Sequence, residues 1–280
     1  MMKLLIRAHD LGVKGESNIL DRLNELGLDG IQLVAYKSLD DISYNPGSIT
    51  KERAEIVSNT LSDKVIPLLG AYFNPVHPNE EKVQKGIQIF KEYLSLVPSF
   101  GSIAVGSETG SYQGEPWTYH PMNSSDEALD RVVEVFSELA RHAEKEGVYL
   151  AIEPAAQHVC STVERLDEAL KRINSDHVKV IVDLYNLLEA SNENRIYEIL
   201  KTALKTFNER ILLFHIKDYK KVDDKIVQCG VGQGIFDFDL ILDLIHEHNP
   251  NALLVLEGTV GEDLKPAVEF ITSKLGKYSA

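Results

Sequence analysis

Cysteine is scarce: the 280 residues contain two, Cys160 and Cys229, and no Cys-x-x-Cys pair. A disulfide framework is excluded, and the default reading is two buried thiols in a reducing compartment, hence a cytoplasmic protein. Long apolar stretches are also missing. The opening MMKLLIRAHD has one positive charge and then a short run broken by Arg7 and His9, too short for a secretion signal, and no later segment is long enough to span a bilayer. Positive charge is in deficit, with 29 Lys and Arg against 43 Asp and Glu and a formal charge of −14. A surface of that sign repels phosphate backbones, and no Lys/Arg stripe interleaved with aromatics offsets it, so neither nucleic acid nor membrane is expected as a partner. No Pro/Ser/Gly-rich linker, low-complexity tract or repeat divides the chain. One domain over residues 1–280 is the expectation.

What is present is alternation. At 44 % hydrophobic residues the chain can build a large core. Eight short apolar runs, at 3–8, 30–36, 65–73, 102–106, 148–153, 178–184, 211–216 and 252–257, alternate with longer helical patterns. Most runs are apolar at successive positions, as strands buried on both faces of a parallel sheet require. Ser17 precedes the pattern Ile19, Leu20, Leu23 and Leu26, which Gly27 closes. Ser124 with Glu127 and Ser161 with Glu164 read as capping boxes, the first opening a helix that Gly147 ends. Further helical patterns fall at 50–61, 79–97, 193–206, 239–248 and 263–274. The fold class expected is α/β, a single (β/α)8 barrel of ordinary length. A doubly wound open sheet would place a glycine fingerprint after the first strand, where AHDLGVKG stands instead.

In such a barrel the carboxyl ends of the strands form the catalytic rim. The late strands end in Glu153 (LAIEP), Asp183 (VIVDLYN), His215 (LLFHIKD) and Glu257 (LVLEG). Period-two alternation puts each on the same side as Ala151, Ile181, Leu213 and Val255, the side taken to face the barrel interior. A hydrogen-bonded strand-end residue without chemistry is the commoner case for any one of them. Four ionisable groups on consecutive strands are costly to bury unless something offsets them, and a divalent cation does. Three carboxylates and one imidazole suit an oxygen-preferring ion, Mn²⁺ first, with Mg²⁺ or Co²⁺ as alternatives and Zn²⁺ less favoured. Asp218 is a candidate acceptor behind the ligands or a loop cap. Lys217 shares the face of His215 and is a candidate substrate contact, with a simple rim salt link as the alternative.

The order Glu, Asp, His, Glu on strands five to eight, with HIKD on the seventh and VGQGIFDF after it, resembles the xylose isomerase-like TIM barrels, the sugar phosphate isomerase/epimerases among them. The resemblance implies a metal-dependent sugar isomerase or epimerase acting by proton transfer through an enediolate. It further implies a metal held by Glu153, Asp183, His215 and Glu257, with Glu153 and Glu257 doubling as catalytic acid and base. It implies a sugar or polyol as the small-molecule partner, and a homodimer or homotetramer. Related members offer other outcomes: an inosose dehydratase-like lyase, an endonuclease IV-like phosphodiesterase, or a barrel that binds without turnover. Many members carry a histidine where Asn186 stands here. That absence, with Cys229 and Val231 where further ligands would lie, speaks against a trinuclear phosphodiesterase. Asn186 can still donate a hydrogen bond to substrate.

Other rim residues have two readings each. His9 after the first strand and His77 in NPVHP are either sugar contacts or satisfied loop histidines, and Glu108 in GSETG is a rim contact or a loop anchor. Trp117, in the long loop 110–121, either stacks on a sugar face or packs the loop down. Gln157 and His158 are possible substrate contacts. VGQG at 231–234 lies where barrels often bind phosphate, but no arginine or second lysine accompanies it, and a glycine turn explains it equally well.

Overall fold

The computed structural model describes residues 1–278. Eight parallel strands close into a barrel: β1 (Lys3–Arg7), β2 (Gly30–Leu33), β3 (Val65–Gly70), β4 (Ala104–Glu108), β5 (Tyr149–Glu153), β6 (Val178–Asp183), β7 (Ile211–Ile216) and, after a hairpin, β10 (Leu253–Leu256), which pairs with both β7 and β1. Each expected apolar run supplies one strand. The run at 30–36 stops being strand at Leu33 and turns into a short helix, α2 (Ala35–Ser38).

The outer layer comprises α1 (Glu16–Leu26), α3 (Lys51–Thr60), α4 (Glu80–Leu96), α5 (Asp126–Glu146), α6 (Val163–Ile173), α7 (Ile196–Phe207), α8 (Phe238–His248) and α9 (Leu264–Leu275). Gly27 and Gly147 end α1 and α5 in the left-handed conformation, as expected. The start positions need correction. α1 opens after Gly15 rather than at Ser17. The N-caps of α5 and α6 are Ser125 and Thr162, whose hydroxyls accept from Ala128 N–H and Arg165 N–H, one residue beyond the expected Ser124 and Ser161.

Two packing layers result. Strand residues facing outward join the helices in one large core. Leu5, Leu68, Ala104, Ala151, Ile181, Leu213 and Val255 pack among themselves inside the barrel. That inner plug matters for function because the next inward residue on each strand stands directly above it.

The hairpin of β8 (Asp218–Val222) and β9 (Lys225–Cys229) was not anticipated. Its two-residue tip, Asp223 and Asp224, has positive φ at both positions, 49° and 58°, the geometry that matches strand twist in a tight hairpin. Asp218 begins it and is a loop cap. Its carboxylate accepts from the N–H groups of Tyr219 (2.8 Å), Gly232 (3.0 Å), Gly234 (2.9 Å) and Phe236 (3.2 Å). Gly234 is explained by this hub, since a Cβ there would lie 2.2 Å from Asp218 Oδ1, and Gly232 by its positive φ of 88° against the Phe270 ring. Two of the amides a phosphate would have used there are committed to Asp218.

Candidate active site

Adding two to the inner-plug positions gives Glu153, Asp183, His215 and Glu257 on the late strands and Arg7 on β1; on β2 the inward residue is Gln32. The structure brings the first four together. His215 Nδ1 lies 2.9 Å from Glu257 Oε2, 3.2 Å from Glu153 Oε1 and 3.6 Å from Asp183 Oδ2. One ligand atom from each of the four falls within 4.8 Å of the others, and all but Glu257 are essentially removed from solvent.

The ring's other nitrogen explains the orientation. His215 Nε2 is 2.7 Å from Gln32 Oε1, an atom that only accepts, so Nε2 carries the proton. Gln32 is fixed in turn because its amide donates to Tyr72 Oη at 2.7 Å. Nδ1 therefore faces three carboxylates. Burial alone would lower the His215 pKa, but Glu153, Glu257 and Asp183 outweigh it and hold it well above the ordinary value.

The surrounding groups carry the remaining compensation. Lys217 Nζ is 2.9 Å from Asp183 Oδ2, 2.8 Å from Glu257 Oε1 and 3.0 Å from Asn186 Oδ1. Arg7 reaches Glu257 Oε1 at 2.9 Å and grips Asp10 with Nε and Nη2, while Asp10 accepts from Gly258 N–H at 2.8 Å. Burial would raise the Glu257 pKa, yet Lys217, His215 and Arg7 hold it well below the usual carboxylate range. Glu153 is pushed up by burial, with His215 opposing. Glu108, beside Glu153 on β4, is pushed up to about 8 by burial and by the Glu153 charge.

The residues present fit a divalent cation. Asp183 Oδ2 is buried with the Lys217 ammonium at 2.9 Å and His215 Nδ1 at 3.6 Å, so nitrogens now carry the compensation that a cation would supply among these carboxylates. The three-carboxylate, one-imidazole set is hard and oxygen-rich. Gln32 supports it as the partner that orients a histidine ligand. Gln32→Met is expected to weaken divalent-ion affinity about 10–100-fold, read by competition against a chelator; unchanged affinity would show that the Gln32 contact does not orient His215 for binding.

The remaining expected residues are dispersed. Glu108, Trp117, Asn186 and His158 line a cavity of about 690 Å³ beside the cluster, with the hairpin tip (Asp224, Lys225, Ile226) as its outer wall. Asn186 is bound into the cluster itself: Nδ2 donates to Glu153 Oε1 at 2.7 Å and N–H to Asp183 Oδ1 at 3.0 Å. His9 stands in the turn after β1, its Nε2 4.0 Å from Asp10 and its Nδ1 without a hydrogen-bond partner among the described residues. His77 lies in a separate cavity of about 250 Å³ with Tyr44, Tyr72, Lys82 and Lys85, and its Nδ1 accepts from Asn79 N–H at 2.9 Å. Trp117 borders both cavities. Gln157 accepts from Tyr119 N–H and anchors the long loop.

Arg7, Asp10, Gln32 and Tyr72 were missed by sequence reasoning. The signal was available for two of them. Arg7 follows Leu5 by two, and Gln32 is a lone amide inside the apolar run GIQLV.

A family model described as xylose isomerase-like TIM barrel matches residues 20–274. No curated protein matches the sequence. Among solved structures, 3-keto-D-glucoside 4-epimerase from E. coli superposes with a TM-score of 0.74 at 15% identity, covering 99% of this chain and 100% of that one. An IolI protein with a bound zinc atom gives 0.73 at 20% identity, over 99% and 98% of the two chains. D-psicose 3-epimerase, solved in the presence of D-fructose, gives 0.70 at 18% identity, over 98% and 100%. At these identities the likeness is one of fold.

Proposed function

The chain belongs to the xylose isomerase-like TIM barrel family, and from that premise we propose that it is a divalent-metal-dependent isomerase or epimerase of a sugar or polyol. The observation that carries this reading is the convergence of three carboxylates, those of Glu153 and Asp183 fully buried, on His215 Nδ1 beside an open cavity. The sugar epimerases among the structural neighbours support it.

Glu153, Asp183, His215 and Glu257 would hold the ion. Its chemistry there is Lewis-acid stabilisation of negative charge developing on a substrate oxygen. The protein's own groups do the rest. Glu257, kept ionised by Lys217, His215 and Arg7, is placed to take a proton from carbon. Glu153, pushed toward its protonated form, is placed to give one back. Asn186, which lines the cavity and bonds both Glu153 and Lys217, would hold a substrate oxygen in line, with the Lys217 ammonium behind it. Use of one face of the carbon gives isomerisation; use of both gives epimerisation.

The test is a panel of ketoses, aldoses and inositol derivatives incubated with the protein and Mn²⁺ in deuterated solvent. Deuterium entering at the carbon next to a carbonyl in at least one member is the expected result. Turnover by loss of water without exchange, or no reaction across the panel, would contradict the proposal.

A further inference from the structure

Among the described residues, the cavity beside the cluster holds one buried side-chain polar atom without a hydrogen-bond partner. His158 lies on a turn whose backbone is pinned on several sides: Ala155 N–H donates to Cys160 O at 3.1 Å, Ala156 N–H to Asn186 O at 2.7 Å and Val159 N–H to Gly110 O at 3.0 Å. Its side chain is 7% exposed, and Trp117 packs edge-on against it with ring centroids 5.7 Å apart. The ring is therefore fixed before any ligand arrives.

Its tautomer follows from one contact. Nε2 lies 3.2 Å from the Trp117 carbonyl oxygen, which only accepts, so Nε2 carries the proton. Burial disfavours a second proton and lowers the pKa to about 4. Nδ1 is then a bare acceptor, buried and without a hydrogen-bond partner among the described residues. Glu108 Oε2 faces it at 4.0 Å, too far for a direct bond. An oxygen about 2.8 Å from both atoms would see them about 90° apart, an angle one hydroxyl can serve.

We infer that His158 Nδ1 and Glu108 form a hydroxyl-reading subsite apart from the metal ligands, in which one hydroxyl of a polyol substrate donates its proton to Nδ1. This rests on the sugar or polyol reading above and adds which feature of the substrate is selected. The subsite works with Glu108 in either form. As an acid, Glu108 donates to the same hydroxyl oxygen; as a carboxylate, it accepts from the neighbouring hydroxyl of a vicinal diol. A carbonyl, ether or deoxy carbon at that place has no proton to give and leaves Nδ1 unpaired, a loss of about ten- to a hundredfold in affinity.

Two measurements test it. The first uses D-fructose and its 4-, 5- and 6-deoxy derivatives as probes, with binding followed by calorimetry on wild type and His158→Phe loaded with the same divalent ion. D-Fructose should bind the variant about ten- to a hundredfold more weakly. One deoxy derivative should show that loss already in wild type and no further loss in the variant. Equal losses for every derivative in both proteins would overturn the subsite. The second is nitrogen-15 spectroscopy of histidine-labelled, sugar-free wild type, where His158 should show a protonated Nε2 and a bare Nδ1. A proton on Nδ1 overturns the inference even if the variant fails to fold. Should D-fructose bind neither protein while Nδ1 is bare, that result counts against the ketose reading alone, and the bare acceptor supports the subsite.

Discussion

Glu257→Gln is expected to abolish proton exchange at the substrate carbon, lowering turnover about 10²–10⁴-fold, the usual worth of a positioned acid or base. The amide keeps the shape of the side chain and removes the charge on which Lys217, His215 and Arg7 converge. Two effects follow: three cationic groups lose a shared counter-charge, and no base remains on that side of the cluster. Glu153→Gln removes the opposing group, which accepts from Asn186 and lies beside His215. Elemental analysis separates the two roles in each variant. A variant that keeps its metal but loses deuterium wash-in has lost a base; one that loses its metal has lost a ligand. Undiminished exchange in either variant would exclude that glutamate from proton transfer.

Asp218→Ala has the largest expected effect on stability. The residue is 1% exposed and its two oxygens accept four backbone N–H bonds, one from Tyr219 in β8 and three from the segment that leads from the hairpin into α8. Each buried N–H left unpaired costs about 1–3 kcal/mol, with some recovered where water enters, so a loss of roughly 4 kcal/mol is expected. For a chain of this size that lowers Tm by roughly 10 °C. Asp218→Asn should fall between, because one oxygen can still serve Tyr219 and Phe236 while the amide faces Gly232 and Gly234 donor to donor. Melting within a degree of wild type for the alanine variant would mean that the four bonds do not hold the segment.

The barrel was legible because strands buried on both faces must be apolar at consecutive positions, and eight such runs are hard to place otherwise. Glu153, Asp183, His215 and Glu257 stood out because each ends such a run with a charge that burial penalises. Arg7 was passed over because it interrupts a run at the start of the chain, although the same two-residue step from Leu5 locates it. Gln32 was hidden by carrying no charge. The caps of α5 and α6 were misplaced by one because Ser124 and Ser125, and Ser161 and Thr162, are adjacent candidates. Ser124 is taken up in donating to Pro121 O, which leaves the cap to its neighbour. The hairpin was missed because its Asp223-Asp224 tip lacks the glycine that usually announces a two-residue turn. The Asn186 contacts with Glu153 and Lys217 depend on side chains that β5, the turn after β6 and the end of β7 bring together across the rim, and no local pattern encodes them.

The most direct test of the central claim is the anomalous difference map of a crystal soaked in manganese. A single peak bounded by Glu153, Asp183, His215 Nδ1 and Glu257, with Lys217 withdrawn from Asp183, is the predicted result. No peak there, with Lys217 still seated on Asp183 and Glu257, would contradict it.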